Sequence, residues 1–186
     1  MGFQICQDAV ADRVLDDSPF ALVMGMQLDQ QYPMEHAFRG PAKILERFGT
    51  LDPAAIASAD PEEFAAMAAT TPAIHRFPAS MAAKVQALAR IVDDEYASDA
   101  SRIWTEAADA KDLLKRIQAL PGFGKQKAQI FLTLLVKQVG VRATGWEVAV
   151  GDYALEGYRS VADVVDAESL QKVRDFKKAK KAAAKA

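Results

Sequence analysis

Apolar residues recur along this chain at helical spacing, and no two segments alternate as a strand pair would. Ser18-Pro19 predicts a helix start, with Ser18 as N-cap and Pro19 in the first turn, where a missing N–H costs nothing. The segment PFALVMGMQL that follows is nearly all apolar, as expected of a buried helix. Tyr32-Pro33 interrupts it. PMEHAFRGPAKILERFG then carries a stripe of Met34, Ala37, Phe38, Ile44, Leu45 and Phe48, broken at Gly40-Pro41. Asp52-Pro53 and Asp60-Pro61 each open a short alanine-rich helix. HRFPASMAAKVQALARIVDDEYA predicts a loop and then a helix capped by Ser80, with Met81, Val85, Leu88 and Ile91 or Val92 inward.

A further helix with Leu113, Leu114 and Ile117 ends at Leu120-Pro121-Gly122, and another runs from about Lys125 to Gln138 and stops at Gly140. Over residues 141–165 the periodicity dissolves among Gly145, Gly151, Gly157, Trp146, Tyr153 and Tyr158, which predicts an irregular loop. AESLQKVRDFKKAKKAAAKA closes the chain as a helix. The expected class is all-α: a helical domain over 1–140, the irregular segment 141–165, and a basic C-terminal helix over 166–186.

Composition narrows this picture only a little. The 186 residues suit one well-cored domain or two small lobes sharing a cleft. No apolar run approaches the roughly 20 residues needed to span a bilayer, and the acidic beginning, MGFQICQDAVADRVLDD, does not read as a signal peptide. A cytoplasmic location is expected. Cys6 is the only cysteine, which excludes an internal disulfide and an iron–sulfur cluster held by four thiolates of this chain.

Charge changes the picture more. The net charge of −2 hides seven basic side chains after Gln171 against Asp175 alone, leaving 16 basic and 24 acidic residues over 1–170. A basic tail on an acidic body suits a polyanion, because each neutralised phosphate releases counterions; a solvated lysine-rich helix end is the plainer alternative.

The segment with most chemistry is LPGFGKQKAQIF, residues 120–131, a hairpin between two helices. Gly122 and Gly124 permit unusual backbone angles and close approach, and the second helix aims its unpaired N–H groups and positive dipole end above the turn. Lys125 and Lys127 add charge beside it, and Phe123 between the glycines is expected to turn inward as an anchor. The simpler alternative is an αα-turn that needs glycine only for tightness.

Leu120-Pro121-Gly122-Phe123-Gly124, with Lys125, Lys127 and Ala128 following, resembles the helix-hairpin-helix of the HhH-GPD superfamily of DNA glycosylases. There the hairpin backbone grips a DNA phosphate, often with a bound monovalent cation. LVMGMQLDQQYPMEHAF, residues 22–38, resembles the superfamily helix ending in a turn whose polar side chain fills the gap left by an extruded base, and Gln31, with Gln30 beside it, takes that position. FPASMAAKVQALARI, residues 77–91, resembles the segment that skirts the DNA backbone, which brings in Ser80 and Lys84. The resemblance covers about residues 18–140 and is nearest to a branch that also carries the Gln-Gln-Pro-Met-Glu-like segment and a Lys/Ala-rich tail. It implies a two-lobed, all-α, monomeric protein that binds double-stranded DNA, is associated with the nucleoid and lacks an iron–sulfur cluster.

The catalytic group is where this sequence departs from the family. The superfamily aspartate follows the second hairpin helix, near Thr144 here, yet the only acid between Lys125 and Gly151 is Glu147, and Asp152 comes after it. Glu147 takes the role if the loop carries an insertion, Asp152 if the loop folds back, or the carboxylate is lost and the chain binds distorted DNA without cutting it. Lyase-competent members place a lysine where Gln126 stands, and Lys125 and Lys127 lie about 100° to either side on a helix, so a monofunctional N-glycosylase is expected. His36 and His75 have no partner at metal-ligand spacing, and no side-chain metal site is expected. A protein-interaction module, with a basic partner on the acidic body, is the last alternative.

Overall fold

The computed structural model describes residues 2–185, and every regular element among them is helical. The N-terminal lobe comprises α1 (Ala9–Asp17), α2 (Pro19–Leu28), α3 (Met34–Ala37), α4 (Gly40–Phe48), α5 (Pro53–Ser58), α6 (Pro61–Ala69) and α7 (Pro78–Tyr96). The second lobe comprises α8 (Arg102–Thr105), α9 (Ala110–Gln118), α10 (Lys125–Leu134), α11 (Trp146–Val150) and α12 (Ala167–Lys185). This is the all-α, two-lobed arrangement expected from the sequence.

Local chemistry explains where most helices start. Ser18 accepts the Ala21 N–H at 3.1 Å with Pro19 next to it, Asp52 accepts the Ala55 N–H, and Asp60 accepts those of Glu62 and Glu63. Each cap satisfies donors that the first helical turn cannot pair internally. Ser80 does not cap α7. The helix begins two residues earlier at Pro78, whose fixed φ suits the first turn, and Ser80 lies exposed inside it with no cap bond. Helix α1, capped by Asp8, is not among the elements the sequence predicts, because Asp12, Arg13, Asp16 and Asp17 interrupt the apolar positions that include the buried Ala11 and Leu15.

Helix α2 is the central rod, with every residue from Phe20 to Leu28 buried. Gly25 lets α3 pack close: a Cβ there would sit 2.5 Å from the Phe38 ring. On α7, Met81, Val85, Leu88 and Val92 point inward, while Ile91 is only half-buried. Phe123, Phe131, Leu132 and Leu135 carry the core into the second lobe.

The stretch 141–165 is better ordered than its sequence suggests. It holds α11 and two short 3₁₀ turns at Gly151–Ala154 and Val161–Asp163, anchored by buried Val150, Val161, Ala162 and Val164. After α10 the backbone widens to π spacing over Leu135–Val139, where Gln138 donates to the carbonyls of Ala162 and Val164, and Lys137 pairs with Asp163 at 2.7 Å. These bonds hold the segment to α10 and bring α12 back across the molecule.

Candidate nucleic-acid interface and cavity

The hairpin between α9 and α10 divides its two glycines between two tasks. Gly122 sits at φ +85°, a left-handed conformation that side chains disfavour. Gly124 does not: at φ −79° and ψ −178° it is ordinary extended backbone at the N-cap of α10. No side chain caps that end, and a Cβ on Gly124 would meet nothing within 4 Å. The first-turn N–H groups of α10 therefore face open space, as an anion requires. Phe123 is buried against Phe131, with ring centroids 5.9 Å apart, which anchors the turn.

The flanking lysines separate. Lys125 is exposed, whereas Lys127 turns inward, donates from Nζ to the Gln27 carbonyl at 2.7 Å and lies 5.5 Å from the centre of the Phe123 ring. The expectation that both add charge beside the hairpin therefore holds for Lys125 in position only. Helical geometry carries Lys127 round to the side facing α2.

Gln27 receives that lysine and fastens three elements together. It is fully buried, and its Nε2 donates to the carbonyls of Lys84 on α7 and Pro121 in the hairpin, each at 2.9 Å. Its Oε1 is buried without a partner. The sequence carries a signal for this residue, a lone amide in the apolar run PFALVMGMQL, which the motifs for wedge and clamp do not include.

Beyond α2, Gln30 and Gln31 are exposed, and Gln31 stands at φ +53°, an uncommon conformation for a side-chain-bearing residue. Buried His75 holds this turn: its Nδ1 accepts the Phe77 N–H at 3.0 Å, which leaves Nε2–H to donate to the Gln30 carbonyl at 2.8 Å. Burial lowers the His75 pKa below its usual range, consistent with the neutral ring this pairing uses. His36 is likewise lowered, by burial and then by Arg39 and Lys43.

Two cavities meet at Gln31. The smaller, about 270 Å³, is lined by Gln30, Gln31, His75, Phe77, Ser80 and Lys84 among others, so it gathers the turn and the start of α7. Phe77 is exposed there, whereas Phe38 is core and Trp104 packs edge-on against Phe131. The larger, about 580 Å³, lies between the end of α2, α10 and α12. Its wall includes Asp29, Gln31, Tyr32, Gln126, Lys127, Tyr153, Arg159 and Phe176, with Lys177, Lys180 and Lys181 of the last helix.

Helix α12 is thus a wall of the cavity rather than a free tail. Arg174 pairs with the carboxylate of Glu35, which is buried on α3 and also keeps one unpartnered oxygen. Lys180 lies over Tyr153 and Arg159 over Phe176, each within 5.6 Å of the ring centre. Inside, burial lowers the Lys127 pKa to about 8, opposed by Asp29 and reinforced by Lys84. Burial raises that of Asp29, against the pull of Lys177, Lys127 and His75.

Glu147 and Asp152 lie elsewhere. Both are exposed, on α11 and the 3₁₀ turn after it, and neither lines either cavity. Glu147 therefore has no apolar surroundings, and its neighbour Val148 is 90% exposed. Gln126 donates to the Tyr153 hydroxyl at 2.8 Å at the cavity wall. Among the described residues no three His, Cys, Asp or Glu side chains gather as a metal site. At the hairpin the oxygens on offer are backbone carbonyls: that of Leu120 accepts the Phe123 N–H and that of Pro121 accepts Gln27, which leaves each a lone pair. A cation at the hairpin would find these neutral backbone oxygens and no carboxylate among them.

An all-helical scaffold with a glycine hairpin between two helices and a cleft beside it has the build of a helix-hairpin-helix protein. The chain belongs to the HhH-GPD superfamily of base excision DNA repair proteins, whose family model matches residues 24–186. Members of this superfamily bind DNA. No curated protein and no solved structure matches the chain. No described helix is long and apolar enough to cross a membrane.

Proposed function

We propose that this chain is a monofunctional DNA N-glycosylase that draws one damaged or mismatched nucleotide out of a duplex and hydrolyses its N-glycosidic bond. The observation that carries this reading is the cavity of about 580 Å³ bounded by Gln31 on one side and the hairpin helix on the other. A base inside a duplex is out of reach, so an enzyme acting on it must unstack it, brace the gap and receive it in a pocket. Gln31 is the brace, the open N-terminus of α10 and Lys125 are the phosphate clamp, and the Tyr32 ring at the wall suits an aromatic base. Ser80, Lys84 and Gln30 border the neighbouring cavity and take the strand beyond the gap. A monovalent cation on the hairpin carbonyls would add positive charge under the bound phosphate.

In the reaction the oxygen of water bonds to C1′ of the deoxyribose as the C1′–N bond breaks. The bonding pair leaves with the base, which takes up a proton, and water gives up one, so the products are a free base and an abasic sugar. A second reading is a binder of abasic or distorted duplexes without catalysis. The exposed positions of Glu147 and Asp152, outside the cavity, favour it.

The test is a base-release screen. Duplexes carrying uracil, hypoxanthine, alkylated purines, 8-oxoguanine or an abasic analogue are incubated with the protein and treated with alkali to cut wherever a base has gone. Strand cutting at one lesion supports the glycosylase, whereas tight binding to the abasic analogue with no cutting across the panel supports the binder.

A further inference from the structure

Of the described residues that line the large cavity, Asp29 is the only acid, and it enters from the end of α2 in the first lobe. It is the C-cap residue of that helix, and its backbone N–H donates to the Met26 carbonyl at 3.2 Å, which fixes where the side chain starts. The residue is half-buried, and among the described residues no donor hydrogen-bonds its carboxylate. Cations surround it instead. Lys127 lines the same cavity from α10 and Lys177 from α12.

Resting on the glycosylase reading, we propose that Asp29 is the catalytic carboxylate of this chain and replaces, from the opposite lobe, the acid missing after the hairpin helix. Hydrolysis needs a negative group close to C1′, both to take the proton that the attacking water loses and to offset the positive charge that grows on the sugar as the base leaves. A nucleotide that enters the cavity with its phosphate at the hairpin brings C1′ between α10 and α2. Asp29 can meet it there; Glu147 and Asp152, outside the cavity, cannot. The proton passes from water to the Asp29 carboxylate and then to solvent, and the base is protonated from solvent, so the carboxylate is regenerated each turnover.

The surroundings suit that task. Burial raises the pKa of Asp29 and so makes it a stronger base than a solvated carboxylate. Lys127, held on the Gln27 carbonyl rather than paired within 4.0 Å to Asp29, supplies opposite charge without occupying the carboxylate. The group is thus free to accept a proton and poised to do so.

The test compares base release and binding in the same full-length chain, on the best lesion from the screen and on a tetrahydrofuran abasic duplex. Asp29→Asn keeps the shape and removes the charge. The expected result is release lowered by at least about 100-fold, the usual worth of a positioned acid or base, with abasic-duplex affinity within about threefold of the wild type. Asp29→Ser, smaller and uncharged, carries the same expectation if the amide does not fit. Glu147→Gln and Asp152→Asn should leave release within about threefold. Release by Asp29→Asn within about tenfold of the wild type, or a loss of release matched by an equal loss of affinity in both variants, overturns the assignment and leaves the glycosylase standing. No release by the wild type from any lesion refutes the glycosylase and the assignment with it.

Discussion

Gly124→Asp isolates the phosphate clamp from the fold. The position has an ordinary φ of −79° and no atom within 4 Å of an added Cβ, so the substitution is neither strained nor crowded. Aspartate is also a favoured N-cap, and in place of glycine it should leave stability unchanged or raise it by a few tenths of a kcal/mol. Its effect on DNA should be the reverse. The new carboxylate accepts the same first-turn N–H groups that a phosphate would use, and losing those charge-assisted bonds costs about 1.5–3 kcal/mol. A unit negative charge roughly 5 Å from the phosphate adds about 3 kcal/mol of repulsion near a protein surface. At about 1.4 kcal/mol per decade, affinity should fall at least about 100-fold.

Fluorescence anisotropy with a labelled abasic-analogue duplex, at low and physiological salt, measures that loss, and a thermal melt records stability beside it. Gly124→Asn separates the two contributions, because asparagine caps the helix without the charge. It should lose only the first, roughly 10- to 100-fold. If Gly124→Asp binds within about threefold of the wild type at low salt, with an unchanged melt, the N-terminus of α10 does not hold a phosphate. The hairpin would then be a turn between two helices and nothing more.

Three other outcomes follow from the same geometry. Gln27→Ala removes two buried hydrogen bonds, takes away the Gln27 partner of the Pro121 carbonyl and opens a cavity, so it should cost about 3 kcal/mol and lower Tm by roughly 6–12 °C in a calorimetric scan. Replacing Lys177, Lys180 and Lys181 together by alanine should flatten the plot of log affinity against log salt by roughly 0.9 for each phosphate no longer neutralised, up to about 3; an unchanged slope would mean that α12 does not touch DNA. Lys127 has its pKa lowered to about 8 in the folded chain against an ordinary 10.5. Between those pH values the unfolded chain holds the proton and the folded chain does not, so stability should rise with pH there, by about 3 kcal/mol in all. Denaturant melts from pH 7 to 10.5 should show a wild-type gain over Lys127→Met that is absent below pH 8 and complete near 10.5; parallel curves would show that Lys127 is not desolvated.

What is legible in the sequence is local. Ser18, Asp52 and Asp60 cap helices through groups two or three residues away, and Phe123 is fixed by the hairpin that holds it. Ser80 misleads because Pro78, two residues earlier, is the stronger start signal. The cavity is not legible, since its far wall is α12, about 150 residues beyond Asp29 in the chain. Nothing near Lys180 or Arg174 announces that Tyr153 and Glu35 await them across the molecule. The same distance explains why Glu147 and Asp152 stand out as carboxylates in the sequence: chain order keeps an acid near the hairpin, whereas the fold brings one in from α2. Three polar residues at alternate positions end that apolar helix. Gln27 is buried as the tie between lobes, Asp29 reaches the large cavity, and Gln31 stands where the two cavities meet. Only Gln31 has a role that a linear motif can state; the other two acquire theirs from α7, α10 and α12, so the same short stretch of chain is both the core of one lobe and the floor of the site.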